Sequence, residues 1–229
     1  VAKELSHFVE MFRGSSFPTR GETTDGTTCV VKMRGAGNGA GGLLSEFLVN
    51  RLACRAGMRV PDVFVIQIQK GFPWEFGTDE FQDLVVKSPG ANLGLCWIEG
   101  AQPMAESRHD GLPHEFVSQV VTLDLAFANW DRSVRSGNLL EDAHGRMWIV
   151  DHGSCRFLFQ AQAEKTAERR LPTDHIFAGW EEAFDAHWLA PMTVEWIEEA
   201  AADVPPEWLK ETRLTSAQIV ERTRRAVGI

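Results

Sequence analysis

Residues 129–153 read NWDRSVRSGNLLEDAHGRMWIVDHG, and this stretch restricts the fold more than any other. Two short apolar runs, Leu139-Leu140 and Met147 to Val150, flank a turn signal at Asp142 to Gly145. Runs this short anchor in a core as paired strands, because a helix needs a longer periodic pattern. An antiparallel hairpin brings its open ends together, which sets Asn138 beside Asp151. An amide oxygen and a carboxylate are hard donors, suited to a magnesium ion that also holds substrate phosphates. Asp131, seven residues before Asn138, is placed to accept a hydroxyl proton or orient an attacking group. Gly153 permits a backbone turn that other residues resist. The same Asp and Asn residues are also common turn formers, so a plain structural hairpin stays open on this stretch alone.

The N-terminal part reads as strands over FVEMFRG and TTCVVKM, separated by a turn at SSFPTRG and the Asp25-Gly26 signal. Lys32 sits inside the apolar VVKM, and a buried lysine needs a partner. Glu46 lies in the first turn of the next helix, LLSEFLVNRLACRAG, whose Leu44, Phe47, Leu48 and Leu52 fall at helical spacing. It is placed to be that partner, with an edge-strand lysine in solvent as the alternative. The small residues of RGSS, Arg13 to Ser16, offer N–H groups and hydroxyls that can cover phosphates or simply close a hairpin. A second glycine-rich loop, Gly35 to Gly42, reads as a flexible connection. It leads into a helix start, which is an alternative anion site, but no lysine follows in the P-loop pattern. VFVIQIQ is a strong strand, and FQDLVVKS and LCWIEG read as weaker ones.

Beyond residue 101 the pattern turns helical. HEFVSQVVTLDLAFANW places Phe116, Val117, Val120, Val121 and Phe127 on one side, and Thr215 with Gln218 fits a capping box before IVERTRRAV. The expected division is residues 1–100 and 101–229, meeting near Glu99 to Met104. A net charge of −9 argues against general nucleic-acid binding. The longest apolar run, VVTLDLAFA, is interrupted by Asp124, and VAKELSHFVEMFRG lacks a signal peptide's apolar centre, so a cytoplasmic chain without a membrane association is expected. Cys29, Cys54, Cys96 and Cys155 form no CxxC pair and read as buried thiols of a reducing compartment. The seven histidines show no zinc pattern, the tryptophans of the C-terminal half suit core packing, and the absence of tyrosine excludes tyrosine autophosphorylation.

Taken in order, Lys32 in VVKM, Glu46 in the following helix, NWDR…GNLL, and DHG after a short hairpin resemble the protein-kinase-like superfamily. More narrowly the chain resembles the HipA-like kinases over roughly residues 10–200, with similarity to phosphatidylinositol kinases around Asp131-Arg132. LLSEFLVNRLACRAGMRVPD and GANLGLCWIEG are similar to further segments of that family. The resemblance implies an α+β, two-lobed kinase-like fold: an N-terminal antiparallel sheet with one helix, and a mostly helical C-terminal lobe bearing the catalytic hairpin. It implies that Lys32 binds the ATP phosphates and pairs with Glu46, and that Asp131 is the catalytic aspartate. It further implies that Asn138 and Asp151 bind Mg2+, that Gly14, Ser15 and Ser16 cover the phosphates, and that the backbone of Trp97, Ile98 and Glu99 meets adenine. There are departures. The Asp-to-Asn gap is seven residues where most protein kinases have five, Ser136 occupies the five-residue position, Asn-Trp precedes Asp131, and DHG stands for DFG. Arg132 and Arg135 add charge near the phosphates, or else meet solvent or a carboxylate. The activity implied is ATP/Mg2+-dependent phosphoryl transfer to a hydroxyl, a protein Ser or Thr, together with a regulatory or antitoxin-like partner chain. The alternatives are a lipid or small-molecule kinase, a pseudokinase acting as a nucleotide- or partner-binding module, and nucleotidyl transfer.

Overall fold

A computed structural model describes residues 2–12, 14, 16–74, 77–134, 136–160 and 169–229. Five strands form a closed barrel: β1 (Lys3–Met11), β2 (Thr19–Thr23), β3 (Thr28–Lys32), β4 (Val63–Ile68) and β5 (Gly90–Cys96), in the order β1-β2-β3-β5-β4. The ring closes through a parallel pairing of β1 with β4, Lys3 opposite Ile66. This corrects the expected all-antiparallel sheet. It also adds β2, which the sequence reading took for a turn. The inward positions of β2 are Thr19, Gly21 and Thr23, so it carries no apolar alternation to read. Gly21 has little room for a side chain, because a Cβ would meet the His7 carbonyl at 3.2 Å besides the Leu5 and Val31 side chains.

Two helices, not one, accompany the barrel. Helix α1 (Gly39–Arg55) follows β3, and α2 (Asp79–Lys87) lies between β4 and β5. The latter is the FQDLVVKS segment expected as a strand. The Thr78 hydroxyl accepts the Phe81 N–H, Asp79 and Glu80 sit in the first turn, and Phe81 and Val85 bury one face into the barrel's core. Helical capping and an i, i+4 apolar pair override the strand propensity of two adjacent valines.

Residues 102–103 form β6 (Gln102–Pro103), which pairs with the hairpin β7 (Leu139–Glu141) and β8 (Met147–Ile149). Helix α3 (His114–Phe127) precedes that hairpin, and α4 (Val194–Ala202), α5 (Pro206–Thr212) and α6 (Ser216–Val227) close the chain, α6 with the expected Thr215–Gln218 capping box. Every residue of α3 from Phe116 to Phe127 is buried, so the helix lies inside the protein rather than showing one apolar side. The apolar core is continuous across residue 100, joining α1 and β5 to α3 and α4–α6. Trp208 on α5, wholly buried, meets Phe47 of α1 edge to face and donates to the Ala91 carbonyl of β5 at 2.9 Å. Two cysteines, Cys29 and Cys155, are buried as expected, whereas Cys54 is exposed. Trp180, expected in the core, is also exposed. Among the described residues no helix is long and apolar enough to cross a membrane.

Candidate active site

Alternation along β3 sends Cys29 and Val31 into the barrel core and Lys32 to the other face, toward α1. Its ammonium donates to both oxygens of Glu46, at 2.8 and 2.6 Å, and to Oδ1 of Asp151 at 2.8 Å. Lys32 and Glu46 are buried. Burial alone would lower the Lys32 pKa, but the two facing carboxylates outweigh it and hold the ammonium charged. Lys32 in turn draws the Asp151 carboxyl below its ordinary value. Glu46 is pulled both ways, pushed up by burial and down by Lys32, and the push prevails.

The hairpin delivers Asp151 to this pair. The Val150 N–H donates to the Asn138 carbonyl at 3.1 Å, next to the Leu139–Ile149 pairing, so Asn138 and Asp151 flank the open end as the sequence reading expected. Both take left-handed backbone conformations, φ 49° and 62°, which Asn and Asp tolerate better than other non-glycine residues. Gly153 lies in the turn closed by the Cys155 N–H on the His152 carbonyl at 3.1 Å, but the left-handed residue is Asp151. A Cβ on Gly153 would face Glu46 Oε2 at 3.4 Å, an ordinary contact. His152 is buried, and its Nδ1 lies 2.6 Å from Asn50 Oδ1 on α1. The Asn50 amide N–H donates to Pro61, so its oxygen is the acceptor and His152 carries its proton on Nδ1. Burial, reinforced by Arg132, lowers the His152 pKa to about 3 and keeps the ring neutral.

Asp131 is exposed and accepts a hydrogen bond from Ser154 Oγ at 3.1 Å. It lines a cavity of about 880 Å³ with Ser16, Lys32, Glu46 and Asp151. Gly37 to Gly42 also form this wall. Of the stretch read as a flexible connection, Gly39 to Gly42 begin α1, Gly37 and Gly39 take left-handed conformations, and two glycines pack at close range. A Cβ on Gly42 would lie 3.2 Å from the Gly153 carbonyl, and one on Gly37 3.3 Å from Ser16. Gly14, Asn138, Trp97, Ile98 and Glu99 are not part of the cavity wall. Gly14 closes the β1–β2 turn by accepting the Phe17 N–H, while Ser15 and Arg135 lie outside the described residues. Trp97, directly after β5, stacks on Phe12 and carries Arg20 over its ring, and its indole N–H donates to Glu99.

Ser136 does not replace Asn138. Its hydroxyl turns back to donate to the Asp131 carbonyl at 2.8 Å. Arg132 is wholly buried against Asp124, so of the roles open to it the contact with a carboxylate is the one observed. The sequence reading gave no role to Asp124 or His152, which bond to Arg132 and Asn50 without lining the cavity. A lone carboxylate inside an apolar helix was the available signal for the first.

A lysine–glutamate pair between a strand and a helix, an aspartate reaching that lysine from a hairpin end, and a second aspartate across one cavity form the arrangement of a kinase-type phosphotransferase. A family model described as HipA-like kinase matches residues 8–226, and the chain belongs to that family. Its fold is similar to that of a Helicobacter pylori proinflammatory kinase, CtkA, with a TM-score of 0.58 and 11% identity over 99% of this chain and 93% of that one. No curated protein matches the sequence.

Proposed function

We propose that the protein binds ATP with magnesium and transfers the γ-phosphoryl group to a hydroxyl, that of a Ser or Thr in a protein. The observation that carries this reading is the Lys32 ammonium held between Glu46 and Asp151 beside the cavity that Asp131 lines. Lys32 is positioned by Glu46 to meet the phosphates, and Ser16, on the cavity wall, covers them. Asp131, held by Ser154, orients the acceptor and takes its proton. Its exposure lets an acceptor side chain arrive from solvent, which favours a protein over an enclosed metabolite. The backbone of Trp97 to Glu99 meets adenine, so residues 1–100 hold the nucleotide and residues 101–229 supply catalysis. A regulatory or antitoxin-like partner chain belongs to this reading.

Asp151 and Asn138 would hold the magnesium. The donor set fits: a carboxylate and an amide oxygen are hard ligands. When bound, magnesium supplies neutralisation of the phosphate charge. One observation favours a second reading, a binding module without turnover: Asp151 already engages Lys32, so a metal ion has to compete with that ammonium for the carboxylate.

Incubation with ATP and magnesium, followed by ADP release and intact protein mass, separates the readings. Phosphoryl transfer predicts ADP and a mass gain of one phosphoryl group on an acceptor. Asp131→Ala should lower the rate by about 10²- to 10⁴-fold with nucleotide binding retained. A nucleotidyl mass gain, or tight binding with no turnover, contradicts the proposal.

A further inference from the structure

Asp124, the residue that breaks the apolar run of α3, is wholly buried and far from idle. Its carboxylate accepts from Arg132 Nε at 2.6 Å and Nη2 at 3.3 Å, from Asn129 Nδ2 at 2.9 Å, and from His175 Nε2 at 3.0 Å. The tautomer of His175 is fixed by its other nitrogen. The Phe177 N–H donates to Nδ1 at 3.0 Å, so the proton sits on Nε2 and points at Asp124.

Each of these partners continues to the candidate active site. Asn129 Oδ1 accepts the Asp131 N–H at 3.3 Å. The Nη1 of Arg132 reaches the carbonyls of Gly137, Asn138 and Val150, at 3.3, 2.7 and 3.3 Å. One guanidinium thus ties the loop after Asp131 to both strands at the hairpin's open end. His175 brings in a third segment, whose backbone is pinned alongside: Ile176 N–H donates to the Arg132 carbonyl, and Val134 N–H to the Asp174 carbonyl.

We infer that Asp124 and His175 are positioning residues, which set the separation of Asp131 from the Asn138–Asp151 end of the hairpin and make that separation depend on docking of the segment around His175. The catalytic consequence rests on the phosphotransferase reading; the mechanical coupling does not. An electrostatic anchor of this kind is stiff because a buried carboxylate with four donors has no alternative partner of equal worth.

The test compares His175→Ala with His175→Gln, whose amide can still donate to Asp124. Amide hydrogen exchange is read across residues 129–138 and at Val150, together with kcat, the KM for ATP and the magnesium dependence of turnover. In His175→Ala, exchange should rise by about tenfold or more in the loop and hairpin end and stay unchanged in β1–β5. The kcat should fall with the KM for ATP unchanged and the magnesium requirement raised, and Gln should restore both. A loosened loop in a chain whose wild type shows no phosphoryl transfer would sink the phosphotransferase reading and leave the coupling standing. Unchanged loop exchange in His175→Ala, a rise spread evenly through β1–β5, or no recovery with Gln overturns the inference.

Discussion

Lys32 carries one positive charge and faces two carboxylates, so the ground state of the candidate site holds an excess of negative charge until a cation arrives. Removing the lysine strands Glu46, which is 1% exposed. Lys32→Met should therefore destabilise the fold by about 3–5 kcal/mol, measured by urea denaturation, and abolish turnover. Adding Glu46→Leu should recover most of that stability and none of the activity. Full stability in the single variant would contradict the buried pair. At this scale the sequence was informative where chemistry is odd for its surroundings: a lysine among valines asks for a partner, and Glu46 stands at helical reach. It was silent on His175 and left Arg132 open between phosphates, solvent and a carboxylate. Nothing local to Arg132 shows which carboxylate claims it, because that partner, Asp124, lies eight residues earlier in a helix.

Helix α1 is the element on which the site turns. It supplies Glu46 to Lys32, Asn50 to His152, and its glycine-rich start to the cavity wall. Substituting Gly42 by Ala gives a clean contest of effects. Helix propensity alone would favour alanine by about 1 kcal/mol. The new Cβ would fall 2.9 Å from Asn38 Cβ and 3.2 Å from the Gly153 carbonyl, and overpacking against backbone costs about 1–3 kcal/mol. Gly42→Ala should thus lower the unfolding midpoint, and displace the DHG turn enough to reduce turnover. A stabilised, fully active variant would show that this junction is slack. Periodicity revealed α1, α3 and the β7–β8 hairpin because each buries a regular apolar pattern. It failed for β2, whose inward residues are Thr and Gly, and for α2, where capping by Thr78 decides against a strand.

Across the whole molecule, one apolar core links the barrel to the helices, and a buried polar hub around Asp124 ties together the segments that follow α3. The parallel β1–β4 closure and the packing of α1 against α4 and α5 are long-range outcomes that no local pattern encodes. The hub has a pH signature. Burial pushes the Asp124 pKa up, but Arg132 and His175 outweigh it and bring it down to about 2, below the ordinary 3.8. A depressed carboxylate stabilises the fold in full above the ordinary value and loses that contribution as pH falls toward the folded one. Stability should therefore drop by about 2 kcal/mol as pH falls from 3.8 toward 2, over and above the loss shown by Asp124→Asn, read from urea midpoints at each pH. Parallel acid profiles for the two proteins would contradict the hub.

The central claim is that nucleotide and metal meet where Lys32, Asp151 and the hairpin end converge. Thermal unfolding of the wild type and Asp151→Ala, titrated with ATP in the presence and absence of magnesium, tests it most directly. The account predicts a magnesium-dependent stabilisation of the wild type, about 2.7 kcal/mol at a hundredfold excess over Kd, that is lost in Asp151→Ala. Equal stabilisation of both proteins, or no stabilisation of either by any nucleotide, would contradict it.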